Sequence, residues 1–420
     1  MTLCRSFKTF TQRVLNSFAR KDERTLFFIP HDNCINDRYD IINYHSDNVL
    51  CLLHKVICNR RFDGYHINLL IFDTDKRDEY EAYIRRQGFN GKLTLVDNTN
   101  RLAFFNAFIK SGFIFTTHYY HKYLYKSRKQ KLICLGYFAA PFKDDFWKVK
   151  RLGYKNARSE EKHMNRIYDY HISTSDFCSR ELALDSLIYL PKYLPLGFPR
   201  NDIFFEDNAN IREKLNEAIG FAPRYVITYA PTHRDYENEE RVLCDKALTH
   251  NRTLFGNTDA SDEDGLSDVL EKMDAVVVAK IHPAQAKSIL NLKSSGRVVF
   301  LQDINEKCSL NLQELLAVSD LLITDYSSTF YDFLLTGKPI IHYCYDYEIQ
   351  RRNRGFAYDP VLAMAAGTVV FDFNSLCNSI YSILLDNVVD YHKMDFVRSL
   401  IFLHKDGKSA DRIIDHFFGV

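Results

Sequence analysis

Asp325, Ser327 and Ser328 follow an apolar run, Leu321-Leu322-Ile323, and precede a helical pattern with Phe330, Phe333, Leu334 and Leu335 on or near one face. Ser327 or Ser328 is a good N-cap, and the first N–H groups of a helix have no partner inside it. With the helix dipole they favour an anion, above all a phosphate. Asp325 to Thr329 is therefore a candidate diphosphate cradle, although the same residues also suit an ordinary capped turn. His233 and Arg234 follow the apolar run Tyr225–Ala230, and His282 ends the run that begins at Ala275. Two histidines and an arginine beside a helix N-terminus suit a nucleoside-diphosphate donor. Group transfer from such a donor needs charge neutralisation on the leaving group and a base near the acceptor hydroxyl.

The elements that must position these residues read as strand, loop, helix, loop, strand. Gly337-Lys338-Pro339 stops the helix, and Ile340–Tyr343 starts the next strand. Further strands are expected at Leu26–Ile29, Ile67–Phe72, Leu93–Val96, Phe113–Thr117, Lys131–Leu135 and Tyr170–Thr174, and, later, at Tyr225–Ala230, Ala275–Pro283, Arg297–Leu301 and Gly367–Phe371. Val49–Val56 fits either a buried strand or the start of a helix. Residues 236–264 and Asp346–Arg354 read as polar loops. Strands alternating with helices imply parallel sheets with covered faces. The fold class is α/β: two Rossmann-like domains facing across a cleft, in residues 25–220 and 221–420. The last helix, Ala410–Phe418, can cross back to the first domain.

Composition narrows the function. The chain has 420 residues, enough for two or three domains, and 46% are apolar, as in a soluble globular protein. A net charge of +1 gives no global reason to bind nucleic acid, and none is expected as a partner. Ten cysteines without a CxxC pair argue for reduced thiols rather than a disulfide framework or a zinc site. There is no run of eighteen apolar residues to span a membrane and no apolar core of a signal peptide. In residues 1–24, Leu3, Phe7, Phe10, Val14, Leu15 and Phe18 recur at helical spacing among Arg5, Lys8, Arg13, Arg20, Lys21 and Arg24. Such a basic amphipathic helix can lie on an anionic membrane, or it can pack on its own domain.

Several motifs, in order, resemble one family. Leu196–Asp202 (LGFPRND), Tyr229–Asp235 (YAPTHRD), Lys280–Pro283 (KIHP), Ile323–Asp346 and Asp406–Arg412 (DGKSADR) are similar to the CDP-glycerol glycerophosphotransferases of teichoic-acid synthesis. The resemblance implies a GT-B-like fold and no metal or other cofactor. The donor would be CDP-glycerol or a related CDP-polyol, and the acceptor a lipid-linked or polymer hydroxyl in teichoic-acid or capsule synthesis. CMP would leave. It also implies a cytoplasmic protein held peripherally on the inner face of the plasma membrane. His282, Arg234 and Asp325 would form the catalytic set, with His282 neutralising or protonating the leaving phosphate. Thr232, Ser327, Ser328, Thr329, Arg200 and Asp202 would serve donor binding, the last two at the hinge or donor pocket.

One departure is plain. The family carries Trp-His-Gly-Thr-Pro-Leu-Lys at a strand end of the first domain, with the His as proposed base. Here the matching residues run from Tyr137 to Lys143, and Phe138 takes the place of the His. Phe138 cannot accept a proton. Three readings remain: His118, His121 or Asp144 serves as base; the chain is a glycosyltransferase of the same fold using a nucleotide sugar; or it is a catalytically impaired nucleotide-binding relative.

Overall fold

Short runs rich in Val, Ile, Leu and Phe, bounded by polar turns, become the strands of two parallel sheets. The computed structural model describes residues 14–31, 41–117, 125–141, 154–232, 254–256, 258, 260–281, 296–353, 355–357 and 361–419. The chain divides into two compact units. One comprises Met1–Ala139, Phe146–Asp202 and Phe402–Val420; the other comprises Ala140–Asp145 and Ile203–Ile401.

The first unit holds β1 (Asp22–Ile29), β2 (His66–Ile71), β3 (Lys92–Asp97), β4 (Ser111–Thr116), β5 (Lys131–Cys134), β6 (Tyr170–Ile172) and β7 (Tyr193–Leu194). Their order is β3-β2-β1-β4-β5-β6-β7, and every pairing is parallel. The order reverses between β1 and β4, where open α/β sheets bind ligands beyond their carboxyl ends. Val49–Val56 resolves as a helix, Asn48–Ile57, because the Asp47 side chain accepts the amides of Val49 and Leu50. Strand β1 begins at Asp22, so the last residues of the expected N-terminal helix belong to the sheet. The described part of that helix covers 14–18.

The second unit repeats the plan with β8 (Tyr225–Tyr229), β9 (Ala275–Ala279), β10 (Val298–Phe300), β11 (Leu321–Thr324), β12 (Ile340–Tyr343) and β13 (Thr368–Val370). The order is β10-β9-β8-β11-β12-β13, all parallel, and it reverses between β8 and β11. Both faces are buried, which is why β9 reads as continuous Val and Ala. Ala275, Val277 and Ala279 join one apolar cluster, and Val276 and Val278 join the other. The second cluster takes Ile211, Leu215 and Ala218 from helix Ala209–Ile219. That packing puts the helix in the second unit and the seam between Asp202 and Ile203, upstream of residue 220. Asp346–Arg354, read as a loop, contains helix Tyr347–Asn353. Part of the stretch 236–264 enters helix Ala260–Lys272.

The chain closes on the first unit. Helix Ser409–Phe418 sets Phe418 against Phe62 at 5.2 Å and Phe113 at 5.0 Å. The Asp202 carboxylate accepts the amides of Ser409 at 2.9 Å and Ala410 at 3.0 Å. Gly197, at φ +88°, passes so close that a Cβ there would meet the Ser409 hydroxyl at 2.5 Å.

Candidate functional site

In the second unit the site is built on the ends of β8 and β11, the two strands flanking the reversal. Thr324 Oγ1 donates to the Ala230 carbonyl at 2.7 Å, tying the two strand exits together. One residue further on, the Asp325 carboxylate accepts the Thr232 amide, at 2.9 Å to Oδ1 and 3.1 Å to Oδ2. Its Oδ1 also accepts the Tyr326 amide at 2.5 Å. Asp325 and Thr232 are both buried, so these bonds form away from water. The sequence reading placed Asp325 among catalytic groups. In the structure its oxygens are turned onto two backbone amides.

The Asp325 carbonyl accepts a hydrogen bond from His342 Nδ1 at 3.1 Å. A carbonyl cannot donate, so Nδ1 carries the proton. Complete burial pulls the His342 pKa down to about 4, and the ring is neutral at pH 7. Phe330 meets it edge-on at 4.9 Å.

Ser327, Ser328 and Thr329 are half-buried beyond this brace. Ser327 Oγ donates to Thr329 Oγ1 at 2.9 Å and accepts the Thr329 amide at 3.4 Å. Ser328 occupies the N-cap position but makes no side-chain cap. The helix that follows is short: Thr329–Phe333, then a 3-10 turn, Leu334–Thr336, ended by Gly337 at φ +68°. Its dipole is correspondingly small, so the hydroxyls and amides of the loop are the stronger anion-binding feature. An aromatic group stands beside them, with Tyr326 5.1 Å from Phe356 and Tyr347 stacked on Phe356 at 5.4 Å. The sequence reading passed over it because Tyr347 was assigned to a loop. Arg234 and His282, with His233, His118, His121 and Asp144, lie outside the described residues.

The first unit gathers polar groups at its own reversal. Asp47 Oδ2 accepts Thr117 Oγ1 at 2.6 Å and the His31 amide at 3.4 Å, while Oδ1 accepts the Val49 amide at 2.7 Å. Full burial pushes the Asp47 carboxyl up against these hydrogen bonds, which pull it down. Asn48 donates to the Gly136 carbonyl at 2.8 Å and accepts the Arg200 amide at 3.1 Å. Arg200 Nη2 donates to the Tyr137 carbonyl at 2.6 Å, and its guanidinium lies 5.5 Å from the Tyr137 ring centre and 5.8 Å from that of Phe198. Arg200 and Asp202, expected at the hinge or donor pocket, are thus engaged inside the first unit: Arg200 holds the loop after β5 and Asp202 caps the closing helix. Phe138 packs against the core formed by residues such as Phe27, Ile29 and Cys134. His31 and Asp47 escaped the sequence reading. An Asp-Asn pair ahead of an apolar run is a cap signal, but only once that run is read as a helix.

Two doubly wound parallel sheets, each with polar groups beyond the strand ends where the order reverses, define a nucleotide-type α/β protein of two Rossmann-like units. The solved wall teichoic acid polymerase TagF is similar at a TM-score of 0.73 and 21% identity, covering 99% of this chain and 92% of that one, which makes the fold GT-B-like. The chain belongs to the CDP-Glycerol:Poly(glycerophosphate) glycerophosphotransferase family, whose profile matches residues 77–419. Among curated relatives, the teichoic acid ribitol-phosphate primase of Bacillus spizizenii is 29% identical over 252 residues, 59% of this chain and 58% of that protein. The ribitol-phosphate polymerase TarK of Staphylococcus aureus is 30% identical over 230 residues, 54% of this chain and 40% of that protein. The glycerol-phosphate primase of Bacillus subtilis is 27% identical over 224 residues, 53% and 50%. The matched stretch spans 58%, 40% and 50% of the length of these relatives, respectively.

Proposed function

We propose that the chain transfers a polyol phosphate from a CDP-activated polyol to an acceptor hydroxyl in wall-polymer synthesis, with release of CMP. The observation that carries this reading is the family match over residues 77–419, a span that includes the strand-end brace of Thr232 and Asp325 and the hydroxyl loop after it. Relatives named for glycerol phosphate and for ribitol phosphate both match, so CDP-glycerol and CDP-ribitol are the donors to try. In this reading Ser327, Ser328 and Thr329 hold the diphosphate, with Arg234 neutralising it. His282 stabilises or protonates the departing CMP phosphate. Asp325 and Thr232 keep the loop in the binding shape.

The acceptor is a lipid-linked or polymeric hydroxyl, and the protein works at the inner face of the plasma membrane. Among the described residues no helix is long and apolar enough to cross a membrane. A peripheral contact is supported by the helical stretch 14–18, where Leu15 and Phe18 are exposed while the buried residue, Asn16, donates to Gln130 at 3.1 Å. Apolar side chains that face outward beside Arg20 and Lys21 suit an anionic lipid surface. Deleting residues 1–20 should then weaken co-sedimentation with anionic vesicles.

Donor-dependent CMP release tests the reading. The purified chain, with a membrane or polymer acceptor, should release CMP from CDP-glycerol or CDP-ribitol, and His282→Ala should abolish this with the fold retained. Release of a nucleoside diphosphate from a nucleotide sugar instead would make the chain a glycosyltransferase.

A further inference from the structure

Helix Arg101–Lys110 of the first unit carries apolar residues on its outer side as well as its inner one. Inside, Ala107 and Phe108 are buried, and Phe104 meets Phe27 of β1 edge-on at 5.3 Å. At 3.6 residues per turn, Leu102 and Phe105 point the other way. Leu102 is 82% exposed and Phe105 is half-buried. A helix covering a sheet normally turns polar residues outward. This one turns out a leucine and a phenylalanine, set between the exposed Arg101 and Lys110.

A basic loop adjoins the C-terminal end of this helix. Residues 126–131 read Lys-Ser-Arg-Lys-Gln-Lys, and the buried Gln130 clamps them in place. Gln130 Nε2 donates to the Phe108 carbonyl at 2.5 Å and the Ser111 carbonyl at 2.9 Å. Its Oε1 accepts Asn16 Nδ2 and the Ser127 amide, both at 3.1 Å. Three segments therefore meet at one side chain: the helix, the basic loop and the stretch 14–18 that exposes Leu15 and Phe18. Asp169, the acid beside the loop, is taken by Lys126 at 3.0 Å, while Arg128, Lys129 and Lys131 are exposed. Lys21 donates to the Asn16 carbonyl at 2.6 Å. Partial burial lowers its pKa, and so does the charge of Lys129. Cations crowded in this way gain from a nearby anion.

We propose that helix Arg101–Lys110 and loop 126–131 form, together with the stretch 14–18, one docking surface for an anionic phospholipid bilayer. The inference rests on the peripheral reading above and adds a second, folded contact to it. Charge complementarity selects the occupant: basic side chains flank outward apolar ones, the pairing that anionic lipid headgroups and acyl chains accept. Stable anchoring takes two signals, and here insertion of Leu102, Leu15 and Phe18 adds to attraction by Arg128 and Lys129. The Gln130 clamp fixes the segments before they meet the bilayer, so little ordering entropy is lost on docking.

The test uses the full chain with phosphatidylglycerol vesicles, and phosphatidylcholine vesicles as the uncharged control. The wild type should bind the first far better than the second, and less well as salt is raised. Arg128→Glu with Lys129→Glu should lower partition roughly twentyfold or more, since each basic residue near such a surface contributes about fivefold. Leu102→Glu should lower it roughly tenfold. All three residues are exposed, so melting temperatures should stay with the wild type. Leu102→Trp should bind more tightly, and its emission should shift to the blue on binding, against the background of the one native tryptophan, Trp147. Wild-type partition in both glutamate variants, with deletion of residues 1–20 releasing the protein, confines the contact to the N-terminal stretch and overturns this inference alone. A vesicle-bound Leu102→Trp protein with unshifted emission overturns it as well. A dimer in solution that Leu102→Glu dissociates would give the face to a second copy and overturn it too. Failure of the wild type to bind either vesicle overturns the peripheral reading, and this inference with it. No donor enters the assay, so the outcome is independent of CMP release.

Discussion

Asp325→Ala should unfold the second unit more easily without touching the reacting atoms. In the wild type this carboxylate accepts the Thr232 amide through both oxygens and the Tyr326 amide through Oδ1, all in buried surroundings. The substitution leaves two buried amides without their acceptor, at about 1–3 kcal/mol each. Removing a buried charge returns part of that, so the expected loss is about 3 kcal/mol. For a unit of this size the melting temperature should fall by roughly 6–12 °C. Asp325→Asn should fall between Ala and wild type. Its carbonyl can still accept one amide, but its NH2 group then faces another donor. Thermal unfolding followed by circular dichroism, with CMP release measured on the same samples, separates two roles. A brace predicts that lost stability, donor affinity and turnover follow one another across Asp, Asn and Ala. If Asp325→Asn melts with the wild type but has lost turnover at unchanged donor affinity, the positioning role is refuted and Asp325 acts in the chemistry.

Further outcomes follow from the same geometry. His342 has its pKa lowered to about 4 from 6.5 by burial, so its neutral form stabilises the fold above pH 6.5. That stability is lost as pH falls from 6.5 towards 4, by up to about 3 kcal/mol. His342→Asn should remove this slope from the pH dependence of denaturant unfolding; an unchanged slope would show that the ring does not titrate there. Asp202→Ala removes the acceptor of the Ser409 and Ala410 amides and should cost about 1–2 kcal/mol. It should also raise proteolytic cleavage near the C-terminus, with donor affinity kept; a loss of donor affinity at unchanged stability would return Asp202 to the donor pocket. Ser327→Ala with Thr329→Ala should raise the donor KM roughly tenfold or more, because charge-assisted bonds to a diphosphate are lost, while kcat falls less. An unchanged KM would remove the hydroxyl loop from donor binding.

How much of this could be read in the amino acids differs from element to element for physical reasons. Strands buried on both faces betray themselves, since Ala275–Ala279 can hardly be anything else. Caps with both partners close in sequence are also legible, as in Asn311 and Glu314, which bond reciprocally at the start of helix Leu312–Val318. Length was the obstacle at Val49–Val56, because a short apolar run fits either period. Leaving that run open hid Asp47 as a cap, and with it the brace under His31. Strand β7 escaped notice because its two residues, Tyr193 and Leu194, carry no period at all.

The site residues raise a deeper difficulty. An aspartate in a strand-end turn is wanted both by chemistry and by architecture, because both use a carboxylate set among backbone amides. Asp202 and Asp325 look alike in sequence, each beside a turn and each within a family motif. What separates a ligand-binding carboxylate from a brace is where its oxygens point, and that is decided by partners far along the chain. Asp202 meets amides 207 and 208 residues away, and Asp325 meets one 93 residues away. The reverse holds for Asn48, which has no motif around it and is seen to hold the loop after β5 only when folding brings it to the Gly136 carbonyl, 88 residues away. Motifs in this chain therefore mark where the loops are held. Subtracting the side chains seen to hold those loops leads to the proposal made above, in which Ser327, Ser328 and Thr329 hold the donor while Asp325 keeps their loop in shape.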